Sequence, residues 1–206
     1  CLQPAPAQRF PDMASLQTSA REEGDHYVLS GEKIWITNGT LAHLAVVFAT
    51  VDPSARHKGI CAFLVETGTP GFRREKMPGR PLGHRASDHA RIILDACRVP
   101  RSALLGAPHE GFQVALSALD HGRLGGAAGA VGLAQACLEA CLDFTTRRRQ
   151  FGQRIADFQA IQMTLADMAT EVDAARLLTY RAAWMKDQGL PATKETSIAK
   201  LFATEV

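Results

Sequence analysis

The sequence predicts an α+β chain: an antiparallel β-domain over residues 1–106, then an up-down helical bundle over residues 107–206. Three observations carry this. From Ser19 to about Pro100, short apolar runs alternate with turn dipeptides and no helical period intervenes. After Pro108 the period changes, and apolar residues recur at steps of three and four. Between the two regimes Pro100, Gly106, Pro108 and Gly111 cluster, which places a boundary near Arg101–Gly111.

In the first half, Tyr27-Val28-Leu29 and Ile34-Trp35-Ile36-Thr37 read as strands flanking a turn at Ser30-Gly31, with a second turn at Asn38-Gly39. Leu44 to Val51, Ile60 to Glu66 and Ala90 to Val99 are further strand-like runs, separated by Gly68-Thr69-Pro70-Gly71 and Pro78-Gly79-Arg80-Pro81. A series of short strands argues for a sandwich or barrel-like sheet. In the second half, Phe158, Ile161, Leu165, Met168, Val172 and Ala175 form one face of a helix. From Asp157 to Gln188 that helix would run about 48 Å. Gly189 and Pro191 stop it, and Thr193 is placed to cap the next. Long helices with short connections predict an antiparallel bundle. The run Gly125-Gly126-Ala127-Ala128-Gly129-Ala130 costs helix stability, up to about 1 kcal/mol per Gly, so a backbone or ligand is expected close by.

Of the 206 residues 46% are hydrophobic, enough for one large or two small cores. Net charge is +2, from 23 basic and 21 acidic residues, which leaves no electrostatic footprint for nucleic acid or an anionic membrane. No apolar run approaches the roughly 20 residues of a membrane span, so no membrane insertion is expected. The five cysteines show no CxxC spacing; Cys137 and Cys141 are expected as reduced thiols on one buried helix face. The seven histidines, among them His121, have no ligand spacing, and no metal site is expected. The chain starts without an initiator Met, signal or transit peptide and stops inside a helical pattern, Ile198 to Ala203, so it reads as a fragment at both ends.

The order of segments resembles the acyl-CoA dehydrogenase family. Gly31-Glu32-Lys33-Ile34-Trp35-Ile36-Thr37-Asn38-Gly39 resembles its GxKxWITNG segment, and Lys58-Gly59-Ile60 with Ala62-Phe63-Leu64-Val65 its KGIxAFLV strand. Leu119-Asp120 with Gly122-Arg123 resembles the LDxGR helix. Arg148, Phe151-Gly152, Phe158-Gln159-Ala160-Ile161-Gln162 and Leu165-Ala166-Asp167-Met168 resemble the stretch that follows it. Four motifs in the family's order cover about Ser15 to Val206. The resemblance implies a middle β-domain and a truncated C-terminal helical domain, without the family's N-terminal helical domain.

It also implies roles. Trp35, Ile36 and Thr37 would pack along the flavin of a bound FAD, Thr37 near its reactive N5 edge; the plainer reading of Trp35 is a core aromatic. Arg148 and Gln159 would contact the FAD of a neighbouring subunit, Arg148 at the pyrophosphate, for which its planar fork is suited. The plainer reading of Arg147-Arg148-Arg149 is a solvated helix end. Asp120 and Arg123 would lie beside the acyl-CoA thioester and pantetheine; as an i,i+3 pair they also read as an ordinary surface ion pair. Gly83-His84-Arg85-Ala86-Ser87-Asp88 matches a β-domain segment taken as structural.

The implied activity is that of an FAD-dependent acyl-CoA dehydrogenase of fatty acid β-oxidation: α,β-desaturation of an acyl-CoA with hydride transfer to flavin. The implied protein is a homotetramer, bacterial cytoplasmic or in the mitochondrial matrix, with electron-transferring flavoprotein as electron acceptor. Two alternatives are an inactive flavin- or CoA-binding relict and a flavin acyl-CoA oxidase. The sequence departs from the family in two places. In Gln3 to Asp12 the family's TExxAGSD keeps only Asp12, as a reading-frame slip would produce. No catalytic residue is assigned: most of the family carries the basic Glu in a later segment, expected beyond Val206, and a minority at the position of Gly122. The chain by itself is therefore expected to be inactive.

Overall fold

The computed structural model describes residues 16–79, 82–83 and 86–206. The departing stretch Gln3–Asp12, and His84 and Arg85, lie outside the described residues. The chain divides into two compact units, residues 1–116 and 117–206.

The first unit is a six-stranded sheet of β1 (Ser19–Glu23), β2 (His26–Thr37), β3 (Leu44–Thr50), β4 (Ile60–Glu66), β5 (Phe72–Lys76) and β6 (His89–Pro100), in the order β4-β3-β1-β2-β6-β5. All pairings are antiparallel except β1 with β3, joined in parallel at Ser19 and Thr50, so the sheet is mixed where a purely antiparallel one was expected. Continuous apolar runs in β3 and β4 bury Val47, Ala49, Cys61, Phe63 and Val65 against Tyr27, Leu29, Ile92, Leu94, Cys97 and Val99. Burying a large side chain of this kind contributes about 1.5–3 kcal/mol.

The expected turn at Ser30-Gly31 does not form; β2 runs unbroken from His26 to Thr37. Instead the register slips between Leu29 and Gly31, where Asp95 and Ala96 of β6 oppose Ser30 alone. Gly31 has φ 140°, and a Cβ there would lie 2.8 Å from Thr18 Cα, so the glycine serves a bulge and a close approach.

The helix α1 (Gly111–Arg147) begins in this unit. A Cβ at Gly111 would stand 2.5 Å from the Cys61 carbonyl carbon; its absence lets Phe112, Val114 and Ala115 pack on Leu16, Phe48, Ile60 and Ala62. By length and composition alone α1 could cross a membrane, with mean hydropathy 1.3 over its most apolar window, and 17% of that window is buried. The helix reaches this hydropathy through many Ala, Gly and Leu residues with few charges; it still has no continuous apolar run of about 20 residues.

The second unit holds the rest of α1, a hairpin of β7 (Arg149–Gln150) and β8 (Gln153–Arg154), α2 (Gln159–Asp187) and α3 (Thr193–Glu205). The expected face of α2 is the one that turns inward, through Val172, Ala175, Thr179 and Ala182. The core is a seam of small residues, Ala127, Ala175, Ala182, Ala199 and Ala203, flanked by Leu124, Val131 and Leu178. Cys137 is exposed and Cys141 half-buried, so these thiols do not share a buried face. Nor does anything approach Gly125, Gly126 or Gly129: a Cβ at each would meet no atom within 4 Å. Among the described residues no backbone comes close to these three glycines, contrary to the backbone approach expected there, while Ala127 between them is buried in the seam.

Candidate functional site

In the first unit, the site is built by a defect in β2. Lys33 pairs with Ile92 and Ile36 with Ala90, so Ile34 and Trp35 together oppose Arg91. This two-against-one bulge places Trp35 at φ 58°, a left-handed conformation that costs a residue with a Cβ about 1–2 kcal/mol. The indole is turned out of the sheet and is 50% exposed, so Trp35 is not a core aromatic. It lines a groove of about 570 Å³ with Ile34, Glu75, Lys76, Met77, Pro78 and Arg91. Ile36 is half-buried and packs on the core, anchoring the segment, while Thr37 is exposed at the end of the strand. Arg91 binds Glu32 bidentately, at 2.5 and 3.1 Å, and reaches Glu75 at 3.5 Å, which fixes the charged floor of this face.

Lys33, one residue before the bulge, was not singled out from the sequence. Its side chain is fully buried and, among the described residues, Nζ has no hydrogen-bond partner. Burial alone brings the amine from 10.5 down to about 7. Lys33 has the strand parity of the buried Tyr27 and Leu29, but a charged side chain at that position does not read as a core residue in sequence.

In the second unit, Asp120 and Arg123 do meet. Arg123 donates to Asp120 Oδ1 at 2.8 Å. The other carboxylate oxygen accepts from the Thr193 hydroxyl at 2.6 Å. Thr193 is therefore not the cap of α3; it is the first helical residue, Ala192 stands at the cap with no side-chain bond, and the threonine hydroxyl ties α3 to α1. Sequence reasoning could not see this tie, whose partners are 73 positions apart.

Arg148 lies between α1 and the β7–β8 hairpin. Its N–H donates to the Phe144 carbonyl and its carbonyl accepts from Ile155, both at 2.9 Å. Of the neighbouring cations, Arg147 pairs with Asp143 and Arg154 with Asp157 at 2.9 Å. The guanidinium of Arg148 is exposed and has no side-chain partner among the described residues. Gln159 opens α2 and is also exposed, at a helix end whose free N–H groups favour anions. At the hairpin tip Phe151 has φ 51° and is 91% exposed, its ring edge-on to Phe158 at 6.3 Å. No group of three or more His, Cys, Asp or Glu suited to a metal occurs among the described residues.

Both units match known families. Residues 8–97 match the family model described as acyl-CoA dehydrogenase, middle domain, and residues 109–206 the one described as acyl-CoA dehydrogenase, C-terminal domain. The chain belongs to the acyl-CoA dehydrogenase family. It is 48% identical over 194 residues to the short-chain specific acyl-CoA dehydrogenase of rat mitochondria, covering 94% of this chain and 47% of that protein. A probable acyl-CoA dehydrogenase of Bacillus subtilis is 47% identical over 196 residues, covering 95% of this chain and 51% of that one. The structure of butyryl-CoA dehydrogenase from Megasphaera elsdenii superposes with a TM-score of 0.90 at 39% identity, over 99% of this chain and 53% of that one. The chain thus spans about half the length of the acyl-CoA dehydrogenases it matches. Its α+β class, a mixed sheet followed by helices, is theirs.

Proposed function

We propose that this chain forms the flavin-facing part of an FAD-dependent acyl-CoA dehydrogenase that desaturates an acyl-CoA thioester between its α and β carbons. One observation carries the reading: a tryptophan held in a left-handed conformation at a bulge, with its indole half exposed on a groove of about 570 Å³. Strain of this kind persists where the surroundings impose it and collects at ligand sites. A groove walled by Ile34, Trp35, Met77 and Pro78, with polar groups at its edges, fits a planar tricyclic ring.

Trp35 and Ile36 pack along the flavin ring, and the Thr37 hydroxyl donates a hydrogen bond at its N5 edge. Arg148, with an unspent guanidinium, binds the FAD pyrophosphate, and Gln159 adds amide hydrogen bonds; both serve the cofactor of a neighbouring subunit in a homotetramer. Asp120 and Arg123 act on the acyl-CoA side, Arg123 through the N–H groups not used by Asp120, and Asp120 by holding it. Bound FAD supplies the hydride acceptor. The protein's part is to position the thioester and polarise its carbonyl as charge develops on the α carbon. No residue of this chain is assigned as the base, and Gly122 offers no side chain for that task. The physiological partners of this reading are an acyl-CoA and electron-transferring flavoprotein, in fatty acid β-oxidation. The relatives are mitochondrial and bacterial, and the reading accommodates a mitochondrial matrix or a bacterial cytoplasm.

The test is made on the full-length protein. Arg148→Ala is expected to lower the FAD content after purification at least several-fold, with a smaller effect on acyl-CoA affinity of the FAD-loaded enzyme. Flavin content equal to wild type removes the assignment of Arg148. In the wild type, an acyl-CoA should bleach the flavin anaerobically. No bleaching overturns the dehydrogenase reading, and stoichiometric oxygen uptake replaces it with an oxidase.

A further inference from the structure

Three consecutive residues, Asp88 and the first two of β6, touch the segment that carries Trp35 and Thr37. The His89 ring meets the Trp35 indole edge-on, with centroids 6.1 Å apart and planes at 69°. His89 is also the backbone partner of Thr37, and its carbonyl accepts from Met77 N at 2.8 Å, on the opposite wall of the groove. Asp88 holds the turn that follows: its carbonyl accepts from Asn38 N at 2.9 Å and its carboxylate accepts from the Thr40 hydroxyl. Ala90 pairs with Ile36 and lies under the turn, where a Cβ on Gly39 would come within 2.6 Å of its methyl group. Within this segment Trp35 at φ 58° and Asn38 at φ 57° are both left-handed. Asn38 adopts this conformation readily, but Trp35 does not hold it unaided; the packing around it must impose it. Asp88, His89 and Ala90 together supply a contact at each position from 35 to 40.

We propose that Asp88, His89 and Ala90 are positioning residues, a template that sets the Trp35 indole and the Thr37 hydroxyl at the groove; its purpose rests on the flavin reading given above. His89 limits the swing of the indole through its ring edge, an interaction specific to orientation. Asp88 fixes where the strand ends and so where Thr37 points. The segment Gly83–Asp88 thus ends in a residue that orients the site.

The experiment uses the chain with Trp184→Phe, which leaves Trp35 as the sole tryptophan. Acrylamide quenching and steady-state anisotropy of Trp35 are read in the absence of FAD, with far-ultraviolet circular dichroism as the control for folding. His89→Ala and Asp88→Ala are each expected to raise the quenching constant about twofold or more and to lower the anisotropy. His89→Phe, which keeps an aromatic edge, and Asp88→Asn, which keeps the acceptor oxygen, should restore both signals. Should Asp88→Ala fail to fold, Thr40→Val removes the same bond from the other side and should give the same optical change. Unchanged signals in His89→Ala, or no difference between His89→Phe and His89→Ala, overturn the template. In the full-length protein His89→Ala should also reduce FAD retention. If the optical change appears and retention is unaltered, the template stands and the flavin assignment of Trp35 falls.

Discussion

Lys33 shows how much one side chain sets by where it points. Its amine is buried without a partner and brought down to about 7, while in the unfolded chain it stays at the ordinary lysine value of 10.5. Between these values the unfolded state binds more protons than the folded one, so stability rises with pH there. The destabilisation is complete below about 7 and gone above 10.5. Lys33→Met, which keeps the volume and loses the charge, is expected to be more stable than wild type at neutral pH and to flatten the slope. That slope should be of the order of 1 kcal/mol per pH unit between the two values. Urea melts across that range check this; a wild-type slope surviving in Lys33→Met sinks it. Little of this was legible in sequence. Trp35 and Thr37 were marked by their motif, yet nothing in Ile34-Trp35 announces a left-handed bulge, which usually asks for Gly or Asn.

At the scale of elements, legibility followed apolar content. β4 runs from Ile60 to Glu66 as its apolar run predicted, because both of its faces are core, Cys61, Phe63 and Val65 on one and Ile60 and Ala62 on the other. β1, Ser-Ala-Arg-Glu-Glu, carries one inward apolar residue, Ala20, and is a strand only because β2 and β3 bracket it. The start of α3 is likewise fixed from outside. With Ala192 at its cap position, the bond from Thr193 to Asp120 does the anchoring that a capping side chain would otherwise do. Thr193→Val removes the hydroxyl and keeps the shape, and should cost about 0.5–1.5 kcal/mol. Asp120→Asn should cost a similar amount, because the stronger charge-assisted bond to Arg123 is weakened as well. Double-mutant thermal melts report the coupling: additive losses would show that the two residues do not act through one bond. The Asp120–Arg123 pair was foreseen from its spacing, whereas its third partner was separated from it by the whole of α2.

Taken whole, the molecule leaves much apolar surface uncovered. Leu133, Met163, Leu177, Tyr180, Trp184 and Leu201 of the helical unit are all more than half exposed. Each leaves up to about 1.5–3 kcal/mol of burial unrealised, and patches of this extent mark interaction surfaces. The 206-residue chain at micromolar concentration is expected to self-associate and to bind a hydrophobic dye. Size-exclusion chromatography with light scattering decides it, a monodisperse monomer that binds no dye being the contrary result. The β-unit has a different consequence, in time. β1–β2 and β3–β4 join near neighbours, but β2 must find β6 across roughly seventy residues, His26 opposite Pro100. Loop closure of that length is the slow part of folding. The bulge at Trp35 exists only in the β2–β6 ladder, so in stopped-flow refolding of the Trp184→Phe chain its emission should arrive in the slowest phase, after most of the strand signal. The groove wall is then the last surface to mature, and a nascent chain has no ordered Trp35 groove until the residues His89–Ile92 have been made and paired with it.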